Sequence, residues 1–376
     1  MTEQTPTSGG NDRIVVIGAG YAGLAAAKLA AKWTDAEVTL VNARDRFVER
    51  VRLHQLAAGQ VLRDLPLADL LRGTGVDLVV DRVTAIDPQT RKITLTDGTL
   101  GYDRLVYAVG SHADLDSVPG VREHAHTVAT REDAERLRTD LAQARTVAVV
   151  GGGLTGVEAA AELAESHPEL TVVLVTGGVP GAALSEKARR YLHRTFARLG
   201  VEVRENAHVT SVDAEGLRLA DGGRVPADTV VWTAGFRVPE LAREAGFAVD
   251  HNGRVVVDQT LTSVSHPEVL AIGDAAAIRR PDGLELRMAC ATGLPTAQRA
   301  VRALADRMRG LEPKPFRFSY INQCISLGRR HGLIQFVRGD DSPREAVLTG
   351  RLAARYKEAV VRGTILFERH PTLPVG

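Results

Sequence analysis

Two glycine triplets carry the chemistry written most plainly in this chain. Gly18, Gly20 and Gly23, with Ala19, Tyr21 and Ala22 between them, follow the apolar run Ile14-Val15-Val16-Ile17. Gly151, Gly153 and Gly156 follow Val147-Ala148-Val149-Val150, with Leu154 and Thr155 inside the second loop and Glu158 just beyond it. Each triplet opens an Ala-rich stretch of helical character. A GxGxxG spacing between strand and helix suits a dinucleotide. The first glycine makes the tight turn, the second admits the pyrophosphate to the backbone, and the third lets helix pack close on strand. The helix N-terminus then offers unpaired N–H groups and its positive dipole end to the diphosphate. One such loop alone is equally a tight strand-to-helix turn. Two, each inside a strand–loop–helix–strand unit, point to two bound dinucleotides and so to electron transfer.

The elements that must position these loops repeat. Strand Ile14–Ile17, helix Tyr21–Lys32 and strand Glu37–Val41 are followed by alternating strands over 76–86 and 92–96, then a buried strand running into Ala108-Val109-Gly110. After a helix bearing Arg131 to Arg138, the plan returns as strand, helix 154–166 and strand 171–175. Alternating strands to Val225 and a second buried strand ending in Ala234-Gly235 complete it. Two copies of one nucleotide-binding plan account for this simply. Strand-like Val255–Val257 and the run Val269-Leu270-Ala271-Ile272-Gly273-Asp274 come next, then a helix expected to open near Pro295 and end at Met308. Beyond Pro313 and Pro315 the sequence predicts a hairpin (325–327 and 333–337) and a helix over 343–362.

Composition sets the class. The 376 residues, 44% hydrophobic and 25% charged with a net charge of +1, are enough for two or three domains of an ordinary globular protein. With 4% aromatics and no basic bias, no nucleic-acid partner is expected. Cys290 and Cys324 are too far apart for a dithiol motif, and no His/Cys/carboxylate spacing suggests a metal. Residues 1–12 read as a polar tail rather than a secretory signal. No apolar stretch is long enough to span a bilayer, so a cytoplasmic location is expected, with contact on the inner face of a membrane left open.

The order of these motifs resembles the two-dinucleotide-binding flavoprotein reductases. The sequence runs GxGxxG, Tyr102-Asp103-Arg104-Leu105-Val106-Tyr107-Ala108-Val109-Gly110, a second GxGxxGxE, a second Ala-Gly strand and Ile-Gly-Asp. Within that superfamily it is similar to type II NADH:quinone oxidoreductases and apoptosis-inducing-factor-like quinone reductases, from about Arg13 to Arg302. The resemblance implies an α/β fold of two Rossmann-like domains with a small C-terminal α+β segment. FAD would lie in 13–118 and 252–312, NAD(P)H in the inserted 119–251, and 313–376 would form the appendix. A hydride would pass from NADH or NADPH to the flavin, then electrons to an external acceptor, a quinone first among them. A small electron-carrier protein, a single small metabolite, and a redox-sensed binding module are the rivals.

Site roles follow from the same resemblance. Asp274 would bond the flavin ribityl chain, with Gly273 removing the Cβ that blocks approach; seen bare, Asp274 is a helix cap. The helix starting near Pro295 would aim its dipole at the flavin. Glu158 would sit against flavin and nicotinamide; otherwise it is a favourable N-terminal charge or half of an ion pair. Asn42, with Asp45 behind it, stands where an acid usually holds the adenosine ribose, and Thr176-Gly177-Gly178 occupies that place in the second unit. Ala297-Gln298-x-Ala300-x-Arg302 follows the quinone-site pattern Ala-Gln-x-Ala-x-Gln with a charge replacing its second amide. Gln298 and Arg302 are therefore acceptor-site candidates or a plain solvent face. His54 joins them, or is a satisfied surface or core histidine. The helix 343–362 has Leu348, Leu352, Tyr356, Ala359 and Val360 on one side, to dock on the flavin domain or lie on an anionic membrane. A homodimer is left open.

Overall fold

The computed structural model describes residues 12–280 and 282–373; the expected tail, Asp12 excepted, lies outside the described residues. In chain order the first unit supplies β1 (Arg13–Ile17), α1 (Tyr21–Trp33), β2 (Glu37–Asn42), β3 (Val76–Val80) and β4 (Arg104–Tyr107). The second supplies β5 (Ala125–His126), β6 (Thr146–Val150), α2 (Leu154–Ser166), β7 (Thr171–Val175), α3 (Glu186–Leu199), β8 (Glu202–Arg204) and β9 (Thr229–Trp232). Then follow β10 (Val269–Ala271) and α4 (Cys290–Met308). The C-terminal segment contains β11 (Asn322–Ser326), β12 (Gly332–Val337), β13 (Pro343–Thr349) and α5 (Gly350–Arg369).

Five parallel strands form the first sheet in the order β10-β4-β1-β2-β3, and five more the second in the order β8-β7-β6-β9-β5. In each, the strand before the glycine loop is central. Its side chains are buried on both faces, which is why these strands read as continuous apolar runs. Ile17 pairs with Val41 and Val150 with Val175, so Asn42 and Thr176 are equivalent positions one step beyond. The expected fold class of two Rossmann-like units is what the chain adopts. Nine consecutive residues of α1, Ala22–Ala30, are buried, because the sheet covers one side and α4 packs along another. Alanine makes that approach close enough.

Three elements depart from expectation. Helix α3 replaces the first of the strands expected after Val175. The Ser185 hydroxyl caps it by accepting from Ala188 N at 3.2 Å, burial falls on Ala188, Leu192, Thr195 and Phe196 at helical spacing, and Gly200 at φ 74° ends it. Helix α4 opens at Cys290, so Pro295 lies inside it and not at its start. The hydroxyls of Thr292 and Thr296 bond the carbonyls of Ala289 and Gly293 at 2.7 Å each, on either side of the proline. Third, 343–349 is strand, not helix. β13 pairs antiparallel with β12, and Gly350 at φ 75° turns the chain into α5, which runs past Arg362 to Arg369.

The C-terminal segment belongs to both units. Ile325, Leu327 and Leu333 share a core with Leu53, Leu56 and the α2 residues Val157, Ala160, Ala161 and Leu163. Ser185 N donates to Gln335 Oε1 at 2.9 Å, and Glu345 accepts from the N–H groups of Glu186 and Lys187. At its far end α5 is clamped to the first unit. The buried Lys28 amine donates to Glu368 O (2.7 Å) and Arg369 O (3.0 Å), the last carbonyls of the helix.

Candidate functional site

Both glycine loops have the same stereochemistry. A Cβ on Gly18 (φ 98°) would lie 2.5 Å from Ala108 O, and one on Gly23 would lie 1.8 Å from Gly18 O. In the second loop a Cβ on Gly151 (φ 122°) would meet Thr233 Oγ1 at 2.6 Å, and one on Gly156 would meet Gly151 O at 1.9 Å. The middle glycines differ: beside Gly20 and Gly153 no atom lies within 4 Å. The outer glycines are thus demanded by the protein's own backbone, while the middle ones face open space. Gly20 and Gly153 are also the N-caps of α1 and α2, and neither helix has a side-chain cap. The first-turn N–H groups, including those of Tyr21, Ala22 and Thr155, remain for a ligand. That geometry fits a pyrophosphate at each loop.

At the carboxyl ends of β4 and β10 lies a second group. Gly110 (φ 68°) and Gly273 (φ 64°) are both left-handed, and a Cβ on Gly273 would press within 3.2 Å of Ala22 Cβ. Gly273 N donates to Thr296 Oγ1 on α4. Asp274 Oδ2 accepts from the Ser111 hydroxyl at 2.7 Å, with Arg50 Nη1 3.9 Å away and donating to Ser111 O at 2.6 Å. Asp274 is therefore held between β10, β4 and the Arg50 segment, in the crevice where ligands bind open parallel sheets. Asn42 does something other than wait for a ribose. Its Oδ1 accepts from Ala19 N at 2.9 Å and its Nδ2 donates to Arg44 O at 2.7 Å, tying the glycine loop to the turn after β2. In the second unit a cavity of about 300 Å³ is lined by Gly151, Thr176, His208, Trp232, Ala234 and Gly235.

A third group joins the units. Glu158, on α2, accepts from Ser326 N at 2.7 Å and pairs with Lys357 Nζ from α5. Four residues along α2, the fully buried Glu162 takes Gln60 Nε2 and, at 3.1 Å, Arg329 Nε. Arg52 donates to both carboxylate oxygens of Glu358, at 3.1 and 2.8 Å, beside Lys357 in sequence. His54 is buried against Lys357, Arg329 and Arg52, and burial together with those cations pulls its imidazole well below its ordinary range. It is a neutral core histidine. Burial, then Arg52, lowers the Lys357 ammonium to about 7, with Glu358 opposing. Burial raises Glu162 against the pull of Arg329.

The remaining candidates go elsewhere. Gln298 Nε2 donates to Pro371 O and Leu373 O, both at 2.7 Å, so it fastens the segment after α5. The Arg302 guanidinium stacks on Trp33, 4.1 Å from the ring centroid. Neither shares a partner with His54 or Glu158. The residues that sequence reasoning missed are Gln60, Glu162, Ser326, Arg329 and Lys357. One signal was present: only six lysines occur in this arginine-rich chain, and Lys28 and Lys357 are buried. Lysine can shed its proton when buried and arginine cannot. Helix α5 also presents the other face from the one expected to dock. Ala353, Lys357, Val361, Ile365 and Glu368 are buried, whereas Leu352, Tyr356, Val360 and Leu366 form an exposed apolar stripe with Arg351, Arg355, Arg362 and Arg369 along one edge. Among the described residues no helix is long and apolar enough to cross a membrane.

Comparison with known proteins matches this geometry. An NADH dehydrogenase-like protein of Mycobacterium tuberculosis is 35% identical over 314 residues, covering 77% of this chain and 78% of that protein. The demethylphylloquinone reductase NdbB of Synechocystis is 27% identical over 95% of this chain and 93% of its own length. The fold is also that of the sulfide:quinone oxidoreductase of Aquifex aeolicus, with a TM-score of 0.81 over 96% of this chain and 92% of that one, at 21% identity. The pattern of the pyridine nucleotide-disulphide oxidoreductases matches residues 12–303. With its paired glycine loops and these relatives, the chain is an oxidoreductase that belongs to the pyridine nucleotide-disulphide oxidoreductase family.

Proposed function

We propose that this chain is an FAD-dependent NAD(P)H oxidoreductase whose electron acceptor is a quinone. Residues 13–118 and 252–312 hold FAD, with Gly18, Gly20 and Gly23 at its pyrophosphate and Asp274 at its ribityl chain. Residues 119–251 hold NADH or NADPH on the second loop. FAD, when bound, supplies the two-electron relay between nicotinamide and acceptor. The protein's part is placement, exclusion of water and control of one proton. Ser326 N fixes Glu158, and Glu158 fixes Lys357 Nζ. An amine poised near neutrality can hold a proton there and release it as the acceptor is reduced.

The observation that carries the quinone reading is the double face of α5. Its inner side delivers Lys357 to Glu158, and its outer side is the exposed apolar stripe with arginines along one edge. Such a helix suits lying in the surface of an anionic membrane, where a quinone resides. The relatives named as quinone reductases support this. Steady-state NADH oxidation by the purified, FAD-loaded protein, against a panel of short-chain quinones, tests it. Turnover with quinones is expected. Cytochrome c reduction that appears only when a ferredoxin or rubredoxin is added, with quinones inert, would transfer the role to a carrier protein.

A further inference from the structure

The second unit reads the adenosine ribose without a carboxylate. By register Thr176 is the residue just past β7, where dinucleotide folds place an acid for the 2′-hydroxyl of NAD or have an arginine nearby for the 2′-phosphate of NADP. From Val172 through Ser185 the chain has no charged residue. The turn after β8 fills the gap. Asn206 N donates to Gly178 O at 3.0 Å and Ala207 N to Thr176 O at 2.9 Å, which lays that turn along 176–178. As a result the His208 ring stands over Gly177: a Cβ there would lie 2.8 Å from Nδ1 and 2.9 Å from Cε1. The imidazole occupies the space that a side chain at 177 would take. It lines the cavity of about 300 Å³ with Thr176 and Trp232, and the cavity's carboxylate, Asp114, is paired with Arg237 at 2.9 Å.

We infer that His208 is the specificity-determining residue of the second loop and that it reads the 2′-phosphate of NADPH, with Thr176 beside it. The inference rests on that loop holding a nicotinamide dinucleotide. With no carboxylate at the end of β7, Asp114 held by Arg237, and an imidazole able to donate to the phosphate, the site takes NADPH. A neutral imidazole still serves the 2′-hydroxyl of NADH, so both nucleotides bind. Glycine at 177 is required by this arrangement, because any larger residue displaces the ring.

Isothermal titration of the FAD-loaded protein with NAD+ and with NADP+ tests this. The wild type is expected to bind the two within about tenfold of each other. His208→Ala should weaken NADP+ by about tenfold or more, the worth of one charge-assisted hydrogen bond, and leave NAD+ within about twofold. Gly177→Ala, which moves the ring without removing it, should act in the same direction, and His208→Arg should keep NADP+. Wild-type binding of NAD+ alone would overturn the inference and spare the dinucleotide reading of the loop. Equal weakening of both nucleotides by His208→Ala would overturn it as well. Binding of neither by the wild type would sink the underlying reading and the inference together.

Discussion

Removing Lys357 and removing Glu158 should have unequal consequences, although the two form one ion pair. Both side chains are largely buried, at 11% and 14% exposure. Lys357→Met leaves a carboxylate whose remaining partner is Ser326 N. At pH 7.5 an amine that titrates at about 7 is mostly neutral, so the carboxylate loses one hydrogen bond to a charged acceptor, about 1.5–3 kcal/mol. The carboxyl can escape by taking a proton, which at pH 7.5 costs about 4 kcal/mol from its ordinary range, so the loss is capped near that value. Glu158→Gln strands an amine that already titrates at about 7. Going fully neutral at pH 7.5 costs it less than about 1 kcal/mol, and the Gln carbonyl still accepts from Ser326 N. Thermal melting of the FAD-loaded variants should therefore show Lys357→Met down by roughly 2–4 °C and Glu158→Gln by about 1 °C or less. The double variant should recover most of the loss. Equal losses, or a worse result for Glu158→Gln, would refute the reasoning. The sign with pH follows from the same group. The unfolded chain holds the Lys357 proton up to about 10.5 and the folded one only to about 7. Its contribution to stability thus rises with pH across that window and is flat below it; Lys357→Met should lack the rise.

Other expectations concern the loops and the last helix. Gly23→Ala should prevent folding or strip FAD outright, since its Cβ would overlap Gly18 O. Gly20→Ala should fold with little loss of secondary structure by circular dichroism yet hold FAD less tightly, because its Cβ enters only the open space. Lys28→Met leaves the last carbonyls of α5 and the buried Glu368 without their amine. Limited proteolysis should then cleave within 363–373 faster than in wild type, in proportion to a helix-end opening. Leu352→Asp with Val360→Asp, both on the exposed stripe, should lower cosedimentation with anionic vesicles at least tenfold by the apolar area they forfeit, roughly 1.5–3 kcal/mol per side chain. Unchanged cosedimentation would remove the membrane from the account.

The two glycine loops were legible because everything they need is local: an apolar strand, three glycines at fixed spacing and a helix that starts at once. Gly273-Asp274 stood out as the polar end of an apolar run, and the chain sets it at the carboxyl end of β10. The buried cluster was not, since Glu158 and Lys357 are 199 residues apart and meet only through the hairpin and α5. Helix α3 was obscured by its neighbours, a run of strands on either side, although Ser185 and Gly200 bracket it with a cap and a stop. β13 is strand because β12 offers it a free edge, a tertiary fact that outweighs the helical bias of Arg344, Glu345 and Ala346. The proline of α4 misled by position. Pro295 suits a first turn, yet the helix begins five residues earlier, at Cys290. Gln298 and Arg302 follow the quinone-site spacing, while their side chains turn to the C-terminal segment and to Trp33.

Anaerobic stopped-flow mixing of the purified protein with NADH and with NADPH, followed in the visible flavin band, interrogates the paired cradles most directly. The account requires a yellow protein that bleaches with at least one nucleotide and regains its colour when a quinone is added. A colourless protein that refuses FAD, or a flavoprotein that neither nucleotide reduces, would contradict it.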